Sequence, residues 1–215
     1  MARKGSVLRE LPILVIVALA VSLIIKTFLV QFFYIPSGSM ENTLQINDRV
    51  AVNKIPFISQ SISRGDVVVF RDPANWLPEP YAQAQNKVVE KIKEGFVTVG
   101  ILPNPAKQYL VKRVIGVAGD TIIAKDGVIT INGKKTTEPY IFAGNKPSEL
   151  DFNVTVPDGK VWVMGDHRGA SADSRYHQDD VNNGFVPVSK ITGRVYGIIW
   201  PLKNFGFVPS QDPIK

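Results

Sequence analysis

Three short stretches of this 215-residue chain carry side chains that could act on one another. The run Ile35, Pro36, Ser37, Gly38, Ser39, Met40 offers two hydroxyls among small residues, and taken alone it has the composition of a turn. A second run from Tyr109 to Gly116 sets Lys112 in the middle of an otherwise apolar, β-branched segment. The third, from Gly165 to Arg175, is a polar cluster directly after an apolar strand pattern that ends at Met164. A serine hydroxyl becomes a nucleophile only when a base takes its proton. A neutral lysine can be that base if desolvation lowers its pKa from about 10.4 toward the working pH. The neighbours Leu110, Val111, Val114 and Ile115 predict such desolvation of Lys112. A second hydroxyl could hold the amine, while backbone N–H groups and a nearby serine stabilise the oxyanion of a tetrahedral intermediate.

Two other readings compete. One makes His167 the base, oriented by Asp166 or Asp173, as in a serine/histidine/aspartate hydrolase. Neighbours on an extended segment point to opposite faces, which disfavours direct pairing of Asp166 with His167. The other is a non-enzymatic, membrane-anchored β-rich binding module in which Ser39 and Lys112 are unrelated structural residues; Ser39→Ala would then behave as wild type. A metal centre is not expected, because cysteine is absent and His167 and His177 are the only imidazoles. The net charge of +6 suits an anionic partner, but the basic residues are dispersed and have no interleaved aromatic stripe, so nucleic acid is not expected.

The elements that must position these residues follow from hydropathy and turn chemistry. Arg3, Lys4 and Arg9 precede an apolar stretch from Leu11 to Ile25, and apolar character resumes after Lys26 and Thr27. Together these predict a cytoplasmic N-terminus over 1–10 and an uncleaved transmembrane anchor over 11–33. A removed signal sequence, suggested by Ala18, Leu19, Ala20, is disfavoured because the apolar run continues past it. Residues 34–215 then form an extracytoplasmic domain beyond a plasma membrane. Strands are predicted at 49–53, 66–70, 109–117, 121–124, 128–132, 152–156, 160–164 and 191–200, giving a mainly antiparallel β domain. Asp126–Gly127 and Asn132–Gly133 mark hairpin turns. The segment 74–108 reads as an inserted excursion with a short amphipathic helix around Val88, Val89 and Ile92. Trp200, Phe205 and Phe207 are expected to close the β core, the alternative being that they rest in the membrane interface.

These segments, in this order behind an anchor, resemble the type I signal peptidase family of serine/lysine proteases. The likeness runs from about Lys26 to Trp200 and includes Gly65, Asp66, Val67, Val68, Val69, Phe70 and Lys112, Arg113, Val114, Ile115, Gly116, with Gly119 and Asp120 following. A lysine at 112, where the eukaryotic and archaeal branch has histidine, resembles the bacterial kind, and the polar insertion from His177 to Asn183 resembles Gram-positive members of high-GC lineages. The resemblance implies Ser39 as nucleophile and Lys112 as general base. It implies an oxyanion hole from the Ser37 hydroxyl and the Ser39 N–H, with Ser171 holding the amine and Asp173 and Arg175 bracing that loop. Ile35, Met40, Leu110 and Val111 would line pockets for small substrate residues at −1 and −3; Phe33 shares a strand face with Ile35 and is a weaker candidate. The implied partners are signal peptides of secreted preproteins and the lipid bilayer, with no cofactor. The chain departs from the family in three places. Glu41, Asn42, Thr43 stand where a residue, proline and threonine are usual, so the usual proline stiffening is missing. His167 stands where asparagine is common, and Gly169–Ala170 where Asp–Asn is common.

Overall fold

Beta-branched runs become strands because their stiff side chains pack on a pleated surface. The computed structural model describes residues 10–21, 30–54, 62–77 and 108–215. Among these residues the strands are β1 (Val30–Tyr34), β2 (Arg49–Asn53), β3 (Val67–Arg71), β4 (Tyr109–Val117), β5 (Thr121–Lys125), β6 (Val128–Ile131), β7 (Lys134–Lys135), β8 (Phe152–Thr155), β9 (Lys160–Met164), β10 (Val186–Pro187), β11 (Ile191–Trp200) and β12 (Gly206–Phe207). One sheet runs β1-β2-β11-β3-β4-β9-β10, with β12 added to β11, and a smaller sheet runs β7-β6-β5-β8. Every pairing is antiparallel. The expected mainly antiparallel β domain is therefore what forms. Asp126–Gly127 and Asn132–Gly133 have positive φ at both residues, as the tight hairpin turns flanking β6 require.

The N-terminal segment differs from the expectation at its end. Residues 10–21 are helical, 22–29 lie outside the described residues, and 30–33, assigned to the anchor by hydropathy, belong to β1. Their period is two: Phe33 and Ile35 are buried while Phe32 and Tyr34 are exposed, and the strand pairs with β2 from Val30↔Asn53 to Tyr34↔Arg49. Among the described residues no helix is long and apolar enough to cross a membrane. The amphipathic helix expected around Val88 also lies outside the described residues, although Trp76, near the start of that excursion, packs edge-on against Phe70. The C-terminal aromatics do not close the core: Trp200, Phe205 and Phe207 are exposed.

Among the described residues the core is three clusters. One joins the smaller sheet to β4 and β9 around Trp162, with Ile115, Ile122, Ile129, Ile131 and Phe185. The second gathers Phe33, Ile35, Met40, Leu44, Val50, Val52, Val67 and Val69 beneath β1–β3. The third holds Val68, Phe70, Trp76, Leu110, Val114 and Val163. The two sheets meet closely at Gly116, where a Cβ would stand 2.5 Å from Ile122 Cδ1 and would force that side chain to shift.

Asp120 fixes the same junction. Its carboxylate accepts from Arg64 Nε at 2.7 Å and Nη2 at 3.0 Å, from Val117 N at 2.9 Å and from Asn132 Nδ2 at 2.8 Å. Burial raises its pKa, but these hydrogen bonds and the Arg64 charge outweigh burial and leave it below the ordinary 3.8. The carboxylate's stabilisation is therefore complete above the unfolded value and is lost as pH falls through the folded one. Asp120→Asn is expected to lower stability by about 1–3 kcal/mol at neutral pH. The deficit should shrink as pH falls below the ordinary carboxylate range, as read from denaturant midpoints of both proteins at each pH.

Candidate active site

Lys112 lies mid-strand on β4, where alternation gives it the face of Leu110 and Val114, and Val68 of β3 stands opposite. Its side chain is 4% exposed. Burial pushes its pKa down from 10.5 to about 8; Asp173 and Asp166 oppose that shift and Arg175 adds to it. Its Nζ makes a 2.6 Å hydrogen bond with Ser39 Oγ.

Ser39 reaches that amine because the chain turns sharply after β1. The exit is fixed by Ile35 N donating to Asp48 O and Asn47 N donating to Ile35 O, each at 2.9 Å. Glu41 N then donates to Gly38 O, and Thr43 N and Leu44 N to Met40 O, while Met40 and Leu44 anchor the turn in the second cluster. Asn42 takes φ +89°, a conformation closed to proline, and its Nδ2 donates to Tyr140 O at 3.1 Å and Ile141 O at 3.4 Å. Side-chain hydrogen bonds thus supply a restraint where the family often has a proline. The Ser39 N–H makes no hydrogen bond with a described residue, and Ser37 is exposed.

The polar loop after β9 closes over the serine. Asp173 Oδ2 accepts from Gly165 N at 2.9 Å, and Asp173 pairs with Arg175 Nε and Nη2, both at 2.9 Å. Arg175 donates on to Arg168 O, and Arg168 donates to Gly165 O and to the Glu138 carboxylate. His167 N donates to Ser39 O at 3.2 Å. Gly165 is the contact point, since a Cβ there would lie 2.4 Å from Ser39 O and 2.3 Å from Ser171 Oγ. Ser171 is buried beside that glycine, and its Oγ makes no hydrogen bond with a described residue. The structure thus joins Ser39 to Lys112 and Asp173 to Arg175, but no hydrogen bond joins Ser171 to the amine.

The serine/histidine/aspartate arrangement is not formed. Ser39 Oγ is held by Lys112, His167 Nδ1 faces Glu41 Oε2 at 3.0 Å, and the His167 ring stacks on Phe142. Asp166 is engaged elsewhere, accepting from Arg113 Nε at 2.9 Å, from Arg113 Nη2 at 2.7 Å and from the Thr43 hydroxyl. Arg113 also donates to Gly65 O at 2.8 Å and lies over the Tyr140 ring. Sequence reasoning assigned Arg113 and Tyr140 no role and marked Glu41 and Asn42 only as departures from the family pattern; for Arg113, a second cation beside Lys112 in an apolar strand was the available signal. Among the described residues no group of three or more carboxylates or imidazoles could hold a metal ion. Of the expected pocket residues, Ile35, Met40 and Val111 gather in the second cluster, whereas Leu110, on the other face of β4, belongs to the third.

A serine paired with a desolvated amine in an antiparallel β domain is the arrangement of a hydrolase able to activate its nucleophile without imidazole. The family model described as Signal peptidase, peptidase S26 matches residues 8–200. The probable signal peptidase I of Mycobacterium leprae (strain TN) is 36% identical, covering 98% of this chain and 82% of that protein. The signal peptidase I of Mycobacterium tuberculosis (strain ATCC 25618 / H37Rv) is 36% identical over 98% of this chain and 78% of its own. That of Bacillus caldolyticus is 30% identical over 89% and 91%. A solved signal peptidase I from Enterococcus faecalis V583 aligns with 62% of this chain and 96% of its own at 25% identity, with a TM-score of 0.40. The chain belongs to the peptidase S26 family of signal peptidases, of the bacterial type I kind, and it is a serine endopeptidase.

Gly165→Ala tests the seating of Ser39. The new methyl must displace the Ser39 carbonyl or Ser171, so kcat is expected to fall by about 10²-fold. Steady-state kinetics with a thermal melt would separate this loss from unfolding.

Proposed function

We propose that the chain removes N-terminal signal peptides from exported preproteins, cutting after small-x-small motifs, with Ser39 as nucleophile and Lys112 as general base. The observation that carries this reading is the 2.6 Å contact between Ser39 Oγ and the buried Lys112 amine. Neutral Lys112 takes the Ser39 proton as Oγ attacks the scissile carbonyl. The Ser39 N–H and the Ser37 hydroxyl donate to the oxyanion. The Lys112 ammonium then protonates the leaving amine of the mature protein, and the signal peptide stays esterified to Ser39. Water, deprotonated by Lys112, hydrolyses that ester, and the Lys112 ammonium returns the proton to the departing Ser39 Oγ. Ser171, buried without a side-chain partner, is available to hold the amine, and Asp173 with Arg175 braces the loop. Ile35, Met40 and Val111 are the proposed walls for the small −1 and −3 residues. No cofactor takes part.

At an ordinary lysine pKa roughly one molecule in 2,500 carries the free amine at neutral pH, whereas at about 8 roughly one in ten does. The base is the deprotonated form, so kcat/KM should rise as pH increases, with an acidic limb centred near about 8. Lys112→Arg is expected to be inactive, because guanidinium does not deprotonate in this range. A pH–rate profile of preprotein cleavage, with Ser39→Ala as the inactive reference, checks both statements. An active Lys112→Arg enzyme would move the base elsewhere.

The proposed setting is a plasma membrane, with residues 1–10 cytoplasmic, an anchor after them, and the domain outside. Arg3, Lys4 and Arg9 before the apolar run support the orientation. An aromatic rim of Phe32, Tyr34, Tyr196, Trp200 and Phe207 lies exposed on β1, β11 and β12, next to the strand that follows the N-terminal segment. Such residues suit a lipid interface. Protease added to intact spheroplasts is expected to digest the domain; digestion only after lysis would reverse the orientation.

A further inference from the structure

Between Met40 and Leu44, both packed in the second cluster, the turn carries the exposed Asn42 and the half-buried Thr43. Asn42 and Thr43 line a cavity of about 290 Å³ together with Arg113, Tyr140, Ile198 and Phe207. Hydrogen bonds hold the two residues between those anchors. Three consecutive side chains grip the neighbouring loops. Glu41 Oε2 meets His167 Nδ1 at 3.0 Å, Asn42 Nδ2 donates to the Tyr140 and Ile141 carbonyls, and the Thr43 hydroxyl donates to Asp166. Those loops are themselves tied together, since Phe142 N donates to Asp166 O at 2.9 Å and the Phe142 ring stacks on His167 at 4.1 Å. The circuit returns to the serine through the His167 N–H on Ser39 O.

From this arrangement we propose that Glu41 and Asn42 are positioning residues that seat Ser39 against Lys112, by clasping the nucleophile turn to His167 and to the Tyr140–Ile141 carbonyls. The proposal rests on the Ser39/Lys112 reading above. Neither residue makes a hydrogen bond to Ser39 Oγ or Lys112 Nζ, so both act through the backbone of the turn. Loss of a clasp lets Ser39 Oγ drift from the geometry needed for proton transfer and lowers turnover, while the substrate walls at Ile35 and Met40 stay anchored in the core.

The test is steady-state cleavage of a preprotein by the full-length enzyme and its Glu41→Ala, Glu41→Gln and Asn42→Gly forms, with thermal melts of each. Glycine adopts φ +89° freely, so Asn42→Gly removes the donor without straining the turn. Glutamine keeps an acceptor for His167 Nδ1–H and removes the same charge as alanine. Glu41→Ala and Asn42→Gly are expected to lose about tenfold or more in kcat, with KM held within about twofold, and Glu41→Gln to retain near wild-type kcat. Wild-type kcat in both Glu41→Ala and Asn42→Gly, a loss confined to KM, or equal losses in the two Glu41 variants would overturn the proposal. Glu41 is partly exposed, so its pair of variants reports even if Asn42→Gly melts early. Ser39→Ala and Lys112→Ala are run alongside. Activity in either sinks the dyad itself, whereas inactivity in both, beside unimpaired Glu41→Ala and Asn42→Gly, sinks the clasp alone.

Discussion

Two consecutive cations buried on one strand set the terms for the rest of this protein. Arg113 is 1% exposed and Lys112 4%, and burying an ion in an apolar sheet is costly unless it is paired or neutralised. The two residues resolve that cost differently. Arg113 cannot lose its proton, and it meets Asp166 through two nitrogens, the Gly65 carbonyl and the Tyr140 ring. Among the described residues Lys112 touches no carboxylate; its contact is a serine hydroxyl, and burial favours its neutral form. Adjacent positions on β4 therefore yield one fixed charge and one exchangeable proton.

The Arg113–Asp166 pair also decides where the polar loop sits. Asp166 lies between Gly165, which presses on Ser39 and Ser171, and His167, whose N–H holds the Ser39 carbonyl. Removing one partner of such a pair costs about 3–5 kcal/mol, because the other is left as an unpaired buried charge. The pair's net worth over a well-packed apolar contact is small by comparison, so its contribution lies in fixing geometry. The Asp173–Arg175–Arg168–Glu138 chain does the same for the far end of the loop.

The smaller sheet contributes to the site through its connections. Glu138, Tyr140 and Phe142 lie between β7 and β8, and they meet Arg168, Arg113 and His167 respectively. That sheet is held to the larger one at Gly116 against Ile122 and at the Asp120 junction. The turn that carries Ser39 is thus gripped between a segment of one sheet and a loop of the other.

Local pattern carried much of this in advance. Short β-branched and aromatic runs between turn residues marked β2, β4, β9 and β11 at their observed bounds, Asp–Gly and Asn–Gly marked the hairpins, and the apolar neighbours of Lys112 forecast its desolvation. These features depend on residues close in the chain, which the sequence records directly. Hydropathy could not separate the end of an apolar helix from β1, because both are apolar and only the pairing with β2 distinguishes them. Nor could it show that Trp200, Phe205 and Phe207 stay exposed, since an aromatic residue has the same composition signal on a core face and on a rim. Tertiary structure alone decided the polar partners: Asp166 with Arg113 instead of His167, His167 with Glu41, and Asn42 with Tyr140. A hydrogen bond needs atoms within about 3 Å, and which distant segments come that close is settled only when the sheets have packed.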